Sequence, residues 1–321
     1  MRIFRAACAV ALFGSATVVL AQAYPAKPVR MLHDFIAGGA VDITARLIAG
    51  PMAELLGQQV IVDGRPGAGG TTAAALIART EPDGYTLFLM ASGHAASSAL
   101  YRSLPYDAVR DFILISMVAA NPFVLAVHPS FPARTTRDLV RMAKAAPGKI
   151  DYGTGGIGTG MHLASVLFQT RAGIRLNHVP YKGGNAAPVA LLTGEIPLIF
   201  NTPAGVEGHV AGGRIRILAI TTKSRFELWP DVPTIAESAL PDFDVRGWYA
   251  VAAPRNMPRS LVDRLNEVVQ SALRRSDVKG RFLSQGSEVT PTTAEEAQRF
   301  VAGEVTRWTK VVKDEKIPPQ N

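Results

Sequence analysis

From Val29 to Ala253, short runs of β-branched and aliphatic residues alternate with longer stretches in which apolar residues recur every three or four positions. That alternation predicts strands joined by helices, an α/β chain with largely parallel sheets. The strand-like runs are Val29 to His33, Gln59 to Asp63, Tyr85 to Met90 and Ile113 to Ala119, then Phe123 to Val127, Ile150 to Tyr152, Asn177 to Val179, Ile196 to Phe200, Ile215 to Thr221 and Trp248 to Ala253. Between the first two, Ile43, Leu47, Ile48, Met52 and Leu55 keep helical spacing, with Pro51 placed to kink that helix and Gly57 to end it. A helix is expected from Thr71 to Arg79, and Thr135 with Asp138 forms a capping box for another that Pro147-Gly148 stops. The last third turns helical, from Leu261 to Leu283 and from Thr293 to Asp314, the latter opened by Thr293 and Glu296 as a second capping box.

A chain that starts one α/β unit, builds a second and finishes in helices can pack those helices back on the first. The crossings then fall near Asn121 to Val124 and Val245 to Val251, and two connections make a hinge beside a cleft. A tandem of independent units with a boundary near Pro122 is the alternative.

The first residues stand apart from this pattern. Arg2 and Arg5 precede an apolar run from Ala6 to Leu20 and the triplet Ala21-Gln22-Ala23, the order of a secretory signal peptide over residues 1–23, with cleavage after Ala23. The run falls short of the roughly 20 residues a membrane span needs. Cys8 is the single cysteine and lies inside that leader, so the exported chain has no thiol for a nucleophile, a thiolate metal site or a disulfide. The net charge is +8, two of it from Arg2 and Arg5, and the remaining Lys and Arg are scattered without interleaved aromatics. This argues against nucleic-acid binding and for a mild pull on anionic solutes.

Two glycine-rich loops carry the candidate chemistry. Phe35-Ile36-Ala37-Gly38-Gly39-Ala40-Val41-Asp42 and Tyr152-Gly153-Thr154-Gly155-Gly156-Ile157-Gly158-Thr159-Gly160 each follow a strand and precede a helix. Glycines there let backbone N–H groups approach an anion, and the following helix adds its free donors and positive dipole end. In the first loop Phe35 offers an apolar wall and Gly38 and Gly39 offer amides, while Asp42 is either a dipole-stabilising first-turn acid or a ligand group. Asp34 beside that cradle repels an anion unless it points away or meets a cation on the solute.

The second loop matches G-x-G-x-x-G at Gly153, Gly155 and Gly158, yet no Asp or Glu occurs between Asp151 and Glu195 to take a ribose hydroxyl. That removes a dinucleotide and leaves the anion cradle, with Thr154 and Thr159 adding hydroxyls. The turn from Asp63 to Gly70 is either a third cradle or a structural turn. Tyr181 and Lys182 are placed to flank a cleft, Gly183 and Gly184 to expose amides, and Asn201 and Thr202 lie at a strand's carboxyl end, where open α/β sheets hold ligands.

Ser92-Gly93-His94 invites a serine hydrolase acting on small esters, but Met90 stands where the nucleophile elbow needs glycine. The six histidines show no metal-ligand spacing, and no carboxylate pair suits glycosidase chemistry. No catalytic residue, metal or cofactor is therefore expected.

Tyr24-Pro25-x-Lys27-Pro28, Gly38-Gly39-x-x-Asp42, Leu56-Gly57-Gln58, Arg65-Pro66-Gly67-Ala68-Gly69-Gly70, Pro82-Asp83-Gly84-Tyr85-Thr86-Leu87 and Leu104-Pro105-Tyr106-Asp107 occur in order. Asp111-Phe112, Pro147-Gly148-Lys149, Tyr152-Gly153-Thr154, His178-Val179-Pro180-Tyr181-Lys182-Gly183, Pro230-Asp231-Val232-Pro233-Thr234 and Ala253-Pro254 follow. Over its whole exported length the chain resembles the extracytoplasmic solute receptors of tripartite tricarboxylate transporters, the Bug-type receptors.

The resemblance implies a type II periplasmic-binding-protein fold: two α/β domains around a ligand cleft, joined by a two-segment hinge. Domain 1 would comprise 24–122 plus 248–321 and domain 2 would comprise 123–247. It implies a periplasmic monomer that holds a small carboxylate through amides, hydroxyls and ordered waters and hands it to an inner-membrane permease. The two glycine loops would face each other, so the candidate ligand residues are Phe35, Ala37, Gly38, Gly39 and Asp42 in one jaw and Thr154, Gly155, Gly158 and Thr159 in the other. Ser92, Gly93, His94, Tyr181, Lys182, Gly183, Asn201 and Thr202 would line the remainder.

Overall fold

The computed structural model describes residues 24–67, 70–314 and 316–319; the expected leader with its cleavage after Ala23, and Ala68 and Gly69 of the glycine-rich turn, lie outside the described residues. The chain opens with β1 (Val29–His33), α1 (Ala40–Leu56), β2 (Val60–Gly64), α2 (Thr71–Ile77), β3 (Thr86–Ala91), α3 (Gly93–Leu100) and β4 (Phe112–Pro122). Next come β5 (Val124–Val127), α4 (Thr136–Ala145), β6 (Asp151–Thr154), α5 (Gly160–Ala172), β7 (Asn177–Pro180), α6 (Ala186–Leu192), β8 (Leu198–Asn201), α7 (Glu207–Val210), β9 (Arg216–Ile220) and α8 (Ile235–Ser238). The chain then finishes with β10 (Arg246–Pro254), α9 (Arg259–Arg274), α10 (Ser276–Ser284), β11 (Glu288–Val289) and α11 (Ala294–Asp314).

Two sheets result: a six-stranded one in the order β11-β4-β10-β3-β1-β2 and a five-stranded one in the order β7-β6-β8-β5-β9. The βαβ units are parallel, as in β1 with β2 and β3 and β6 with β7 and β8. The sheets are mixed, however. β10 runs antiparallel between β3 and β4, and β5 antiparallel between β8 and β9. These strands adjoin the places where the chain changes sheet, and each enters its sheet from the opposite end to the βαβ strands. Thr221, fully buried, ties the two crossings: its Oγ accepts from the Phe123 N–H at 2.8 Å and donates to the Val245 carbonyl at 2.6 Å.

Local chemistry explains most element ends. α1 stops at Gly57, whose φ of 68° is left-handed and whose N–H reaches Ala53 O, and it runs through Pro51 as one 17-residue helix without a break. Both expected capping boxes form, Thr135 with Asp138 and Thr293 with Glu296. The stretch from Leu261 to Leu283 is helical apart from Arg275, which is extended (φ −62°, ψ 134°) and divides it into α9 and α10 while its guanidinium pairs with Asp277 and with Glu54 of α1. β11 was not expected; two edge residues carry no periodicity.

Buried aliphatic and aromatic side chains form one core under each outer face, and a third that continues from Phe88 and Ala96 through Phe123 and Trp248 to Phe168 and Phe200, linking the sheets. The glycine loops lie at the carboxyl ends of β1 and β6, on the two sides of the resulting cleft.

Candidate functional site

The two loops are built alike. Gly38 (φ 77°) and Gly158 (φ 81°) both occupy the left-handed region, each followed by a turn closed at 3.4 Å, Gly39 N–H to Ile36 O and Thr159 N–H to Gly156 O. In each, the glycine N–H donates to the side chain four residues on, Gly38 to Asp42 Oδ2 at 2.9 Å and Gly158 to His162 Nδ1 at 3.3 Å. The amides of Gly38 and Gly158 are therefore spent on shaping their own loops. The donors left over are those of the first helical turns, Ala40 and Val41 of α1 and Gly160 and Met161 of α5, which lack intrahelical acceptors.

The groups under the loops differ. Asp42 is buried and also accepts from Arg46 Nε at 2.9 Å and from His33 Nε2 at 3.1 Å. Burial alone pushes its carboxyl up, but the Arg46 guanidinium, the Gly38 amide and His33 outweigh it and hold the carboxyl below the usual range. Burial lowers His33, and since its Nδ1 accepts from the Phe35 N–H, its Nε2 carries the proton given to Asp42. Under the second loop, His162 stacks on His178 at 4.6 Å, and His178 Nε2 bonds Thr154 Oγ at 2.8 Å. Burial holds both rings neutral, His162 at about 3 and His178 at about 4, and at His162 the neighbouring His178 ring lowers it further.

An inner pocket of about 40 Å³ lies where α1, α3 and α5 begin, lined by Gly39, Ala40, Val41, Ser92, Gly93, Thr159, Gly160 and Met161, with Phe35, Ile36, Phe123, Gly183, Gly184, Thr202 and Tyr249 among the rest of its wall. Its lining holds no charged side chain. At about 10–15 Å³ per water-sized group, it has room for a carboxylate. An outer chamber of about 590 Å³ shares Phe35, Ile36, Thr159 and Gly183 and extends over Asp34, Pro66, Gly70, Tyr101, Gly155, Ile157, Pro180, Tyr181 and Lys182.

The jaws touch. Asn185 Nδ2 donates to Gly38 O across the cleft at 2.6 Å, and a Cβ added at Gly183 would stand 2.7 Å from Ile36. A Cβ at Gly93 would stand 2.9 Å from Gly158 O, and one at Gly160 2.7 Å from Ser92 Oγ. The lobes come this close, backbone to backbone at Gly93 and backbone to side chain at Gly183 and Gly160, only because these residues are glycine.

Of the residues singled out from sequence, Phe35, Gly39, Ser92, Gly93, Thr159, Gly183 and Thr202 line the inner pocket, and Gly155, Tyr181 and Lys182 line the outer chamber. Others do not face it. Ala37 and Gly38 are exposed at the rim, and Asp42 is occupied beneath the loop as a positioning acid. Thr154 is fully buried and accepts from Gly156 N–H, while Gly158 offers the cleft its carbonyl side rather than its amide. Asn201 is fully buried and holds the jaw from behind, donating to Gly184 O at 2.8 Å. His94 is a core residue: it bonds Ala108 O at 2.9 Å, stacks on Tyr106 and is lowered to about 4 by burial, with no bond to Ser92. A Ser-His dyad does not form, because one helical step turns the imidazole away from the cleft into the aromatic core.

Sequence reading missed the first-turn residues Ala40, Val41, Gly160 and Met161, although the free donors it assigned to helix starts belong to them. It missed Phe123 and Tyr249, which reach the pocket from the crossing segments and from an antiparallel strand, with no local signal.

The description "Tripartite tricarboxylate transporter family receptor" fits residues 44–317. Protein BugT of Bordetella pertussis is 36% identical over 308 residues, covering 95% of this chain and 94% of that protein. Among solved structures, Rpa4515 of R. palustris with adipate superposes with a TM-score of 0.88 at 33% identity, covering 92% of this chain and 100% of that one. The periplasmic binding protein BugD superposes with a TM-score of 0.87 at 31% identity over 92% of this chain and 100% of its own.

Proposed function

The chain belongs to the tripartite tricarboxylate transporter family of solute receptors, and on that premise we propose that it takes one small carboxylate between its lobes, closes over it and delivers it to the inner-membrane permease of such a transporter. The observation that carries this reading is the convergence of three helix N-termini on one uncharged inner pocket. A carboxylate there meets fixed N–H donors and three positive dipole ends in a site screened from water, so its hydrogen bonds are charge-assisted and little ordering is needed. Ser92 and Thr202 add hydroxyls at the pocket wall, while the Thr159 hydroxyl donates to Gly156 O within its own loop.

The ligand residues of this reading are Phe35, Gly39, Ala40, Val41, Ser92, Gly93, Thr159, Gly160, Met161, Gly183 and Thr202. Asp42, His162 and Asn201 are positioning residues behind them. Domain 1 is taken as 24–122 plus 248–321 and domain 2 as 123–247, with Thr221 bridging the two hinge segments. The receptor works as a monomer in the periplasm after removal of residues 1–23. The similar structure of Rpa4515 with adipate supports a carboxylate ligand, and the burial of His94 speaks against esterase chemistry at Ser92.

Melting temperature measured across a panel of mono-, di- and tricarboxylates and amino acids tests it, because a ligand that binds only the folded state raises it. A rise with at least one carboxylate is expected. No rise with any of them, together with ester turnover that disappears in Ser92→Ala, replaces the receptor with the hydrolase.

A further inference from the structure

The cleft has two ends of opposite character. The inner pocket offers only neutral donors and helix N-termini, whereas the outer chamber is walled by Phe35, Ile36, Tyr101 and Ile157 and carries just two charged side chains, Asp34 and Lys182. Lys182 is exposed and solvated. Asp34 is 5% exposed, its Oδ1 has no hydrogen-bond partner, and among the described residues it forms no ion pair.

A buried carboxyl without a partner is costly to a fold. The surroundings of Asp34 keep it so: a Cβ at Gly70 would collide with Oδ2, so the left-handed glycine (φ 100°) leaves that oxygen its space. The buried Tyr106 hydroxyl nearby is also unpartnered. Burial pushes the Asp34 carboxyl up to about 7, with only its own backbone N–H opposing, so the group has no internal cation to settle it.

We propose that Asp34 receives the far end of the solute and selects an ammonium group there, making the ligand a carboxylate that also bears a positive charge. This deepens the receptor reading above and rests on it. Positive helix ends at one extreme and an unpaired buried acid at the other complement a zwitterion, while a second carboxylate at the Asp34 end meets like charge.

Calorimetric titration of the wild type and Asp34→Asn at pH 8, with ω-amino acids from three to six carbons and with the alkanoate and diacid of each length, tests the assignment. In the wild type, one ω-amino acid is expected to bind about tenfold or more tighter than its matching alkanoate and diacid, the scale of one charge-assisted hydrogen bond. In Asp34→Asn that amino acid falls to the level of the alkanoate, whose binding shows that the variant is folded. A diacid preferred by the wild type, or an amino-acid preference that survives in Asp34→Asn, overturns the role of Asp34 while leaving the receptor intact. If the wild type binds none of the three classes, the carboxylate cleft itself falls, and this inference with it.

Discussion

The Asn185 side-chain amide reaches across the cleft and donates to the Gly38 carbonyl at 2.6 Å. It joins the tip of the first glycine loop to the start of α6 in the other lobe, so it exists only while the lobes are together. A bond present in one state alone contributes its full worth to the balance between states. Asn185→Ala is therefore expected to weaken solute binding by about 0.5–1.5 kcal/mol, up to roughly tenfold, chiefly through faster release. Stopped-flow release rates with unchanged ligand-free melting check it; unaltered release leaves the bond without a role in closure.

Gly93 gives a sharper test of closure, because local and global effects have opposite signs. It opens α3, where alanine is the better helix former, yet its Cβ would stand 2.9 Å from the Gly158 carbonyl of the other lobe. Gly93→Ala is expected to keep or raise the ligand-free melting temperature while cutting affinity at least about tenfold, the effect of a blocked approach costing 1.4 kcal/mol or more. Solution scattering completes it: addition of the solute should contract the wild type and leave the variant's radius unchanged.

Asp42 and Arg46 are bonded to each other but differ in what depends on them. The Arg46 side chain is 60% exposed, so its pair with Asp42 is screened, and Arg46→Ala should cost under about 1 kcal/mol. Asp42→Ala strips the acceptor from the Gly38 amide and from the buried His33 ring, and is expected to cost about 2–4 kcal/mol and to lower affinity as the loop loses its shape. Urea unfolding of both variants decides the order; equal losses would mean that the surface pair, not the loop, is what Asp42 serves.

How far the sequence discloses this site follows from where each signal is stored. Both cradles are legible because a glycine turn between a strand and a helix is a local pattern, and Gly38 and Gly158 indeed turn left-handed. What the pattern does not carry is which way each amide points. Asp42 and His162 sit one helical turn on and claim the glycine N–H groups, which leaves the free amides at the pocket to Ala40, Val41, Gly160 and Met161, residues of no chemical distinction. His94 misled for the same reason: beside Ser92 in the chain, it is rotated into the core by the helix that starts there. Tyr249 was invisible because β10 returns to β3 antiparallel after the whole second lobe has intervened.

Asp34 imposes a pH dependence whose sign is opposite to that of an ordinary paired carboxylate. Its folded value of about 7 lies above its usual 3.8, so between those values the unfolded chain has lost a proton that the native state keeps. Stability from this group is fully present below about pH 4, falls as pH rises towards 7, and is flat beyond. The buried histidines run the other way: His94, His162 and His178, lowered to about 4, 3 and 4 from 6.5, contribute stability above pH 6.5 that is lost as pH falls. Between about pH 4 and 6.5 the three histidines run against the one carboxyl and outweigh it, so Asp34 is isolated only by difference. Asp34→Asn removes the opposing contribution, so the variant should gain stability over the wild type progressively from pH 4 to 7, by on the order of a few kcal/mol at the plateau. Melting curves of the ligand-free proteins at half-unit steps measure it. A difference that is constant with pH would mean that Asp34 is not held neutral by its burial.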